Sequence, residues 1–205
     1  MTINLLDQKN APLPGVPIKG LVFTGGKSIR MGTDKSHIDY HGLPQYQYLY
    51  QLLEDVLGSA YLSCHPDRIP DGHWNIVEDV MPDIGPLSGL LAAFQKHPDH
   101  AWLAVACDLP FLNKEALSYL LDKRDATKLA TCFYDESTGM PEPMIAIWEP
   151  AVYPYLVDQS KKGMSLRKIL LQPEVLLLQP LDPRILVNAN TPEEMMEIKN
   201  KIHHP

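Results

Sequence analysis

The run "AWLAVACDLPFL", residues 101–112, limits the possible folds more than any other stretch of the chain. From Ala101 to Cys107 every residue is apolar, with no alternation, so a strand there has no face to offer to water. The run is also far too short to cross a bilayer. A strand buried on both sides needs helices on both sides, which is the setting of a parallel sheet in an α/β protein. Asp108 then follows at once, at the point where such a strand must end.

The rest of the chain fits this frame. Strand-type segments are expected at 18–23, 60–64, 74–77, 101–107, 128–134, 143–148, 174–178 and 184–188. Helical periodicity fills the gaps between them. Leu49, Leu53, Val56 and Leu57 share one face, and Leu87, Leu90, Leu91 and Phe94 form a second stripe behind Pro86 at a first helical position. Asn113 and Ser165 stand where N-caps belong, and "TPEEM" carries a capping box with Thr191 as cap and Glu194 closing it. Tyr46, Tyr50, Met195 and Met196 read as core or surface filler. Strand alternating with helix argues one α/β domain over 18–205 with a mainly parallel sheet. Residues 1–17, ending in "APLPGVP", read as a Pro-rich extension ahead of it.

Composition removes several function classes. With 18 Lys+Arg against 25 Asp+Glu the net charge is −7, which argues against a nucleic-acid surface. Cys64, Cys107 and Cys132 are odd in number and widely spaced, so they predict free thiols in a reducing cytosol. The first residues have neither the basic nor the apolar region of a signal peptide. A cytoplasmic protein that meets no membrane is the expectation. The histidines lack zinc spacing, and "GKSIR" lacks the G-x-S-x-G elbow of a hydrolase.

In open α/β sheets ligands bind beyond the carboxyl ends of the strands, so motifs just after strands carry the most weight. "TGGKSIRMGTDK" follows the first strand. Gly25 and Gly26 allow a tight turn with exposed N–H groups, and Lys27, Arg30 and Lys35 bring positive charge to a polyphosphate. The pattern is neither a P-loop nor G-x-G-x-x-G. Asp108, at a strand end facing this loop, suits Mg²⁺, which takes few protein ligands and retains waters and phosphate oxygens. In "VEDVMPDIGPLSG", Asp79 either accepts from the N–H edge of a base or sits in an ordinary turn, and Gly85 opens a helix in both cases. Lys161, Lys162, Arg167 and Lys168 form either a solvated face or a receptor for an anionic second substrate.

Taken together these motifs resemble the molybdenum cofactor guanylyltransferases. "TGGKSIRMGTDK" is similar to their [LA]-x-G-G-x-S-x-R-M-G-x-D-K signature, "DIGPLSGLLAAF" to their G-P-L-x-G helix start, "VACDLPFL" to their C-D-x-P strand end, and "VNANTPEEM" to their N-x-N-T-P-E element. The resemblance implies a Rossmann-like, three-layer nucleotidyltransferase fold, Mg²⁺ as cofactor, and GTP and molybdopterin as substrates, with GMP transferred and pyrophosphate released. It implies catalytic roles for Arg30, Lys35 and Asp108, with Asp108 on the metal. Thr24, Gly25, Gly26, Lys35, Asp79, Gly85 and Asp108 fall to the nucleotide, and Asn188 and Asn190 to the cofactor substrate. Transient contact with other cofactor-biosynthesis proteins or molybdoenzymes belongs to the same expectation. Thr24 stands where the family has Ala, and Cys64-His65 where it has Ala-Asn, leaving His65 or Arg68 to replace a base or ribose contact. Rival readings are a transferase using CTP or a sugar-phosphate acceptor, and a nucleotide-binding module without turnover.

Overall fold

A computed structural model describes residues 15–25, 35–81, 84–163, 165–189 and 191–203. Seven strands form one sheet: β1 (Ile18–Phe23), β2 (Ala60–Cys64), β3 (Ile76–Glu78), β4 (Ala101–Ala106), β5 (Ala130–Asp135), β6 (Met140–Trp148) and β7 (Val175–Leu178). Their order is β3-β2-β1-β4-β6-β5-β7. All neighbours pair in parallel except at β6, which runs against both β4 and β5. The expected α/β, mainly parallel sheet is therefore present, with one reversed strand inside it.

Every residue of β4 is buried, as its unbroken apolar run requires. One face of the sheet packs on α1 (Gln45–Leu57) and α3 (Lys114–Asp122), through residues such as Leu49, Leu53, Leu103, Val105, Leu117 and Ile147. The other face packs on α2 (Pro86–Lys96), α4 (Tyr153–Lys161) and α5 (Leu166–Leu170), around Leu87, Leu90, Trp102, Trp148, Leu156 and Ile169. A smaller cluster joins Ile38, Tyr40 and Ala189 to Ile198 of α6 (Pro192–His203). The capping box closes both ways: Thr191 N–H donates to Glu194 Oε2, and Glu194 N–H to Thr191 Oγ1, each at 3.2 Å. Asn113 accepts from Ala116 N–H at 2.9 Å, as its position predicts. Ser165 occupies an N-cap position, but its side chain makes no capping bond.

Two strand expectations change. Residues 184–188 hold no strand; Pro183–Leu186 form a 3-10 turn, because Asp182 accepts from Arg184 N–H and Pro183 starts the turn. Its consecutive apolar residues Ile185 and Leu186 are both buried, where a strand would alternate them. The strand expected at 143–148 begins at Met140 instead. Pro141 and Pro143 mask it in the sequence; both lie beyond the pairing of β6 with β4, while Pro141 remains in register with Tyr134 of β5.

The boundary at residue 18 also moves. Pro17 O accepts from Ala101 N–H at 2.9 Å, and Val16 O accepts from Arg124 Nη1 at 3.0 Å. Arg124 is itself forked onto the buried Glu149 at 2.6 and 2.8 Å. Residues 16–17 are thus part of the packed domain. Cys64, Cys107 and Cys132 are buried and form no disulfide. Among the described residues no helix is long and apolar enough to cross a membrane.

Candidate active site

Because β1, β2, β3 and β4 run the same way, their carboxyl ends line one edge of the sheet. Thr24, directly after β1, is tied to β2 twice: its N–H donates to Ser63 O at 3.0 Å and its hydroxyl to the same oxygen at 2.9 Å. An Ala there would forgo the second bond. Gly25 follows, and a Cβ on it would stand 3.9 Å from Asp79 Oδ2, so this turn lies beside that carboxylate.

Asp79 is fixed from two sides. Its N–H donates to Cys64 O at 3.1 Å, and its Oδ1 accepts from Ser63 Oγ at 3.0 Å. Burial raises its pKa, while the Ser63 bond and the charge of His65 pull it down. Gly85, at the N-cap of α2, adopts φ 60° and ψ −142°, a conformation that any side chain would strain. Ser88, one turn in, accepts from Met81 N–H at 2.9 Å and so ties the incoming loop to the helix. Gly89 comes close enough that a Cβ on it would overlap Ser63 Oγ and stand 3.2 Å from Asp79 Oδ1. Only glycine lets α2 lie this near the ends of β2 and β3.

Asp108 leaves the sheet two residues after β4. Its Oδ1 is buried and has no hydrogen-bond partner among the described residues. Burial pushes its pKa up, and the positive charge of Lys35 opposes the shift. Burial and the Asp108 charge together raise the Tyr40 phenol to about 12. The turn that follows is pinned through its carbonyls: Gln45 Nε2 donates to Leu109 O at 3.3 Å, His41 Nε2 to Pro110 O at 2.8 Å, and the Tyr48 hydroxyl to Leu112 O at 3.2 Å. Ala189 N–H donates to Asp108 O at 3.1 Å, which brings the neighbouring, half-buried Asn188 to the same edge.

The edge thus gathers Thr24, Gly25 and Asp79 in one group and Lys35, Asp108 and Asn188 in another. Asp79 and Asp108 follow strands three places apart, roughly 14 Å at ~4.8 Å per strand, a span suited to a nucleotide laid out from base to phosphates. A buried carboxylate oxygen with no partner among the described residues, near the charge of a lysine, fits a hard divalent cation that takes oxygen ligands. Gly26, Lys27, Arg30, Asp83 and Asn190 lie outside the described residues. His65 uses Nδ1 to accept from Asp67 N–H at 3.3 Å, closing a turn, while its charge reaches Asp79.

Three further residues belong here that sequence reasoning did not single out. Ser63 and Gly89 form a spatial unit with Asp79, and only the G-P-L-x-G spacing hinted at the glycine. Glu142 on β6 is buried; burial raises its pKa, its bond from Met144 N–H lowers it, and Arg167 and Asp108 act in opposite senses. Of the cluster at 161–168, Lys162 pairs with Asp158 at 2.6 Å and Arg167 with Glu142 at 3.9 Å.

A three-layer α/β sheet with a glycine turn and two partly buried carboxylates along one edge has the frame of a nucleotidyltransferase. The chain belongs to the family of the MobA-like NTP transferase domain, which it matches over residues 20–176. It is similar to the molybdenum cofactor biosynthesis bifunctional protein of Synechocystis sp., 33% identical over 92% of this chain and 55% of that one. The chain therefore spans about half of that protein. It is also 29% identical to the molybdenum cofactor guanylyltransferase of Pseudomonas putida, over 88% of this chain and 97% of that one. In structure it resembles molybdopterin-guanine dinucleotide biosynthesis protein A from Archaeoglobus fulgidus, with a TM-score of 0.74 at 19% identity, covering 91% of this chain and 100% of the other.

Proposed function

We propose that this enzyme transfers GMP from GTP to the terminal phosphate of molybdopterin. The observation that carries the reading is Asp108, whose buried Oδ1 has no partner among the described residues and which lies near Lys35 and the segment holding Asn188. The names of relatives that share most of this chain's length support the choice of donor and acceptor.

An oxygen of the acceptor phosphate attacks the α-phosphorus of GTP. The bond from that phosphorus to the bridging oxygen breaks, and pyrophosphate leaves with the electron pair. A phosphate monoester is already ionised near neutrality, its second pKa being ~6, so no general base is needed. The protein must instead hold both substrates in line and offset their negative charge. Thr24 and Gly25 shape the turn that receives the phosphates, Gly26 is assigned to the same task, and Arg30 and Lys35 neutralise them. Asp79 accepts from the N–H edge of guanine, held in orientation by Ser63, with Gly85 on the guanosine side. Asn188 and Asn190 are assigned to the acceptor. Asp108 would hold Mg²⁺, which when bound supplies Lewis-acid charge to the phosphoryl oxygens.

The decisive experiment measures pyrophosphate release with molybdopterin and each of the four nucleoside triphosphates. Preference for GTP supports the reading. Equal or faster turnover with CTP would make the enzyme a cytidylyltransferase, and no release with any triphosphate would leave a binding module.

A further inference from the structure

Between Ala106, where β4 ends, and Lys114, where α3 begins, the chain is in neither strand nor helix, so its carbonyls have no ladder to join. Yet each of them from Asp108 to Leu112 accepts a hydrogen bond. Ala189 N–H donates to Asp108 O at 3.1 Å, Gln45 Nε2 to Leu109 O at 3.3 Å and His41 Nε2 to Pro110 O at 2.8 Å. Asn113 Nδ2 donates to Phe111 O at 3.5 Å, and the Tyr48 hydroxyl to Leu112 O at 3.2 Å. Three of these donors come from one short segment. Gln45 opens α1 and Tyr48 follows three residues later on the same face, with the His41 ring stacked on Tyr48 at 3.9 Å.

Gln45 differs from its two neighbours in what else it holds. Its own N–H donates to Ile38 O at 2.9 Å, and Ile38 N–H donates to Lys35 O at 3.3 Å. One residue therefore ties the backbone after Lys35, through its main chain, to the backbone after Asp108, through its side chain. The charge of Lys35 acts on Asp108, so the two groups joined in this way are within electrostatic reach of each other.

The turn does not need this amide for its hydrogen-bond accounts. Leu109 O also accepts from Leu112 N–H at 3.3 Å. Gln45 is 0% exposed, and its Oε1 is buried with no partner among the described residues. An unmet buried acceptor weakens a fold, and an apolar side chain of the same length would not carry one. Stability alone thus favours an apolar residue at the start of α1, and the glutamine is better understood through what it aligns.

We propose that Gln45 is a positioning residue for Asp108, fixing its carboxylate relative to Lys35 so that the lysine and a cation held by Asp108 meet the same phosphates. This rests on the function proposed above. Reacting groups tolerate little displacement, so a hydrogen bond that adds nothing to stability can still govern the rate.

The test uses the full chain and two variants. Gln45→Met keeps the side chain's length and removes both polar atoms, while Tyr48→Phe removes a donor from the far end of the same turn. Melting temperature, pyrophosphate release over a range of Mg²⁺ concentrations, and Mn²⁺ binding to the protein–GTP complex by EPR are compared. Gln45→Met is expected to melt at or above the unaltered protein, yet to lose roughly tenfold in kcat with the KM for GTP little changed. It should also require more Mg²⁺ and hold Mn²⁺ more weakly. Tyr48→Phe should show the reverse order, a lower melting temperature with a smaller loss of turnover than Gln45→Met. In an Asp108→Asn background, Gln45→Met should have no further effect on kcat, because it acts through that carboxylate. Normal kcat and Mg²⁺ dependence in Gln45→Met, loss of its fold, or an undiminished effect in the Asp108→Asn background overturns the proposal. Absence of pyrophosphate release from the unaltered protein with every triphosphate refutes the function beneath it, and the Mn²⁺ comparison then still decides whether Gln45 places Asp108.

Discussion

Ser63 Oγ donates to Asp79 Oδ1 at 3.0 Å, and Gly89 of α2 lies so close that its missing side chain is what leaves room for this bond. Replacing Gly89 with Ala should force the serine, the aspartate or the helix to move. Overpacking of this kind costs about 1–3 kcal/mol, and the displaced Asp79 should weaken GTP binding as well. Ser63→Ala in the same protein should recover only part of the stability, because Ser63 Cβ would still be 3.0 Å from the new methyl group. Melting curves of the two single variants and the double variant give the coupling. Strict additivity would show that the two residues do not share this space.

Asp108→Asn retains the side chain's shape and removes its charge. Turnover should fall roughly 10²–10³-fold, as when one electrostatic stabiliser is removed from a reacting centre. The fold should survive, since burial already disfavours the ionised carboxylate. Asp79 is not among the charges that act on Asp108; the relief comes from Glu142 and Tyr40, both of which feel the Asp108 charge. Steady-state rates at several Mg²⁺ concentrations and a melting curve check both halves, and near-normal turnover at low Mg²⁺ would remove Asp108 from the metal.

Arg124→Met should destabilise the protein by about 3–5 kcal/mol, because Glu149, with 2% of its side chain exposed, would remain buried without its partner. The same arginine holds Val16 O, so a chain beginning at Ile18 should melt below one beginning at Gly15. Equal melting temperatures for the two truncated chains would show that residues 15–17 add nothing.

Burial raises the Cys64 thiol to about 11 and Cys132 to about 12, from an ordinary value of 9.0. In the unfolded chain both thiols ionise above pH 9, while the folded protein keeps them protonated. The unfolded state therefore binds fewer protons, and stability should fall as pH rises from 9 towards 11 and 12. Cys132→Val should flatten that decline. Alkylating reagents at pH 8 should leave all three thiols of the folded protein intact, and mass spectrometry would register any exception.

What could be read in advance was whatever one stretch of chain determines by itself. The run ending at Cys107 had to be a doubly covered strand, so Asp108 had to emerge at its end. "TPEEM" carries both halves of its capping box within four residues. The Ser63–Asp79–Gly89 unit was hidden because it joins three elements that meet only after folding. Glu142 was hidden differently: the prolines at 141 and 143 are poor signs of a strand, yet both lie in β6 beyond its pairing with β4. Ile185 and Leu186 misled in the opposite sense, as apolar neighbours that a proline turn buries without any sheet.

The reversal of β6 has a consequence for how such an enzyme can diversify. A uniformly parallel sheet of seven strands would present seven carboxyl ends at one edge, each followed by a loop bound into the same nucleotide frame. Turning one strand around places its amino end at that edge instead, fed by a short hairpin from β5 that makes no part of the frame. Substitutions along 140–171 can then accumulate apart from those along 18–108. Divergence of the two halves at different rates among descendants of a common ancestor is the historical trace this geometry should leave.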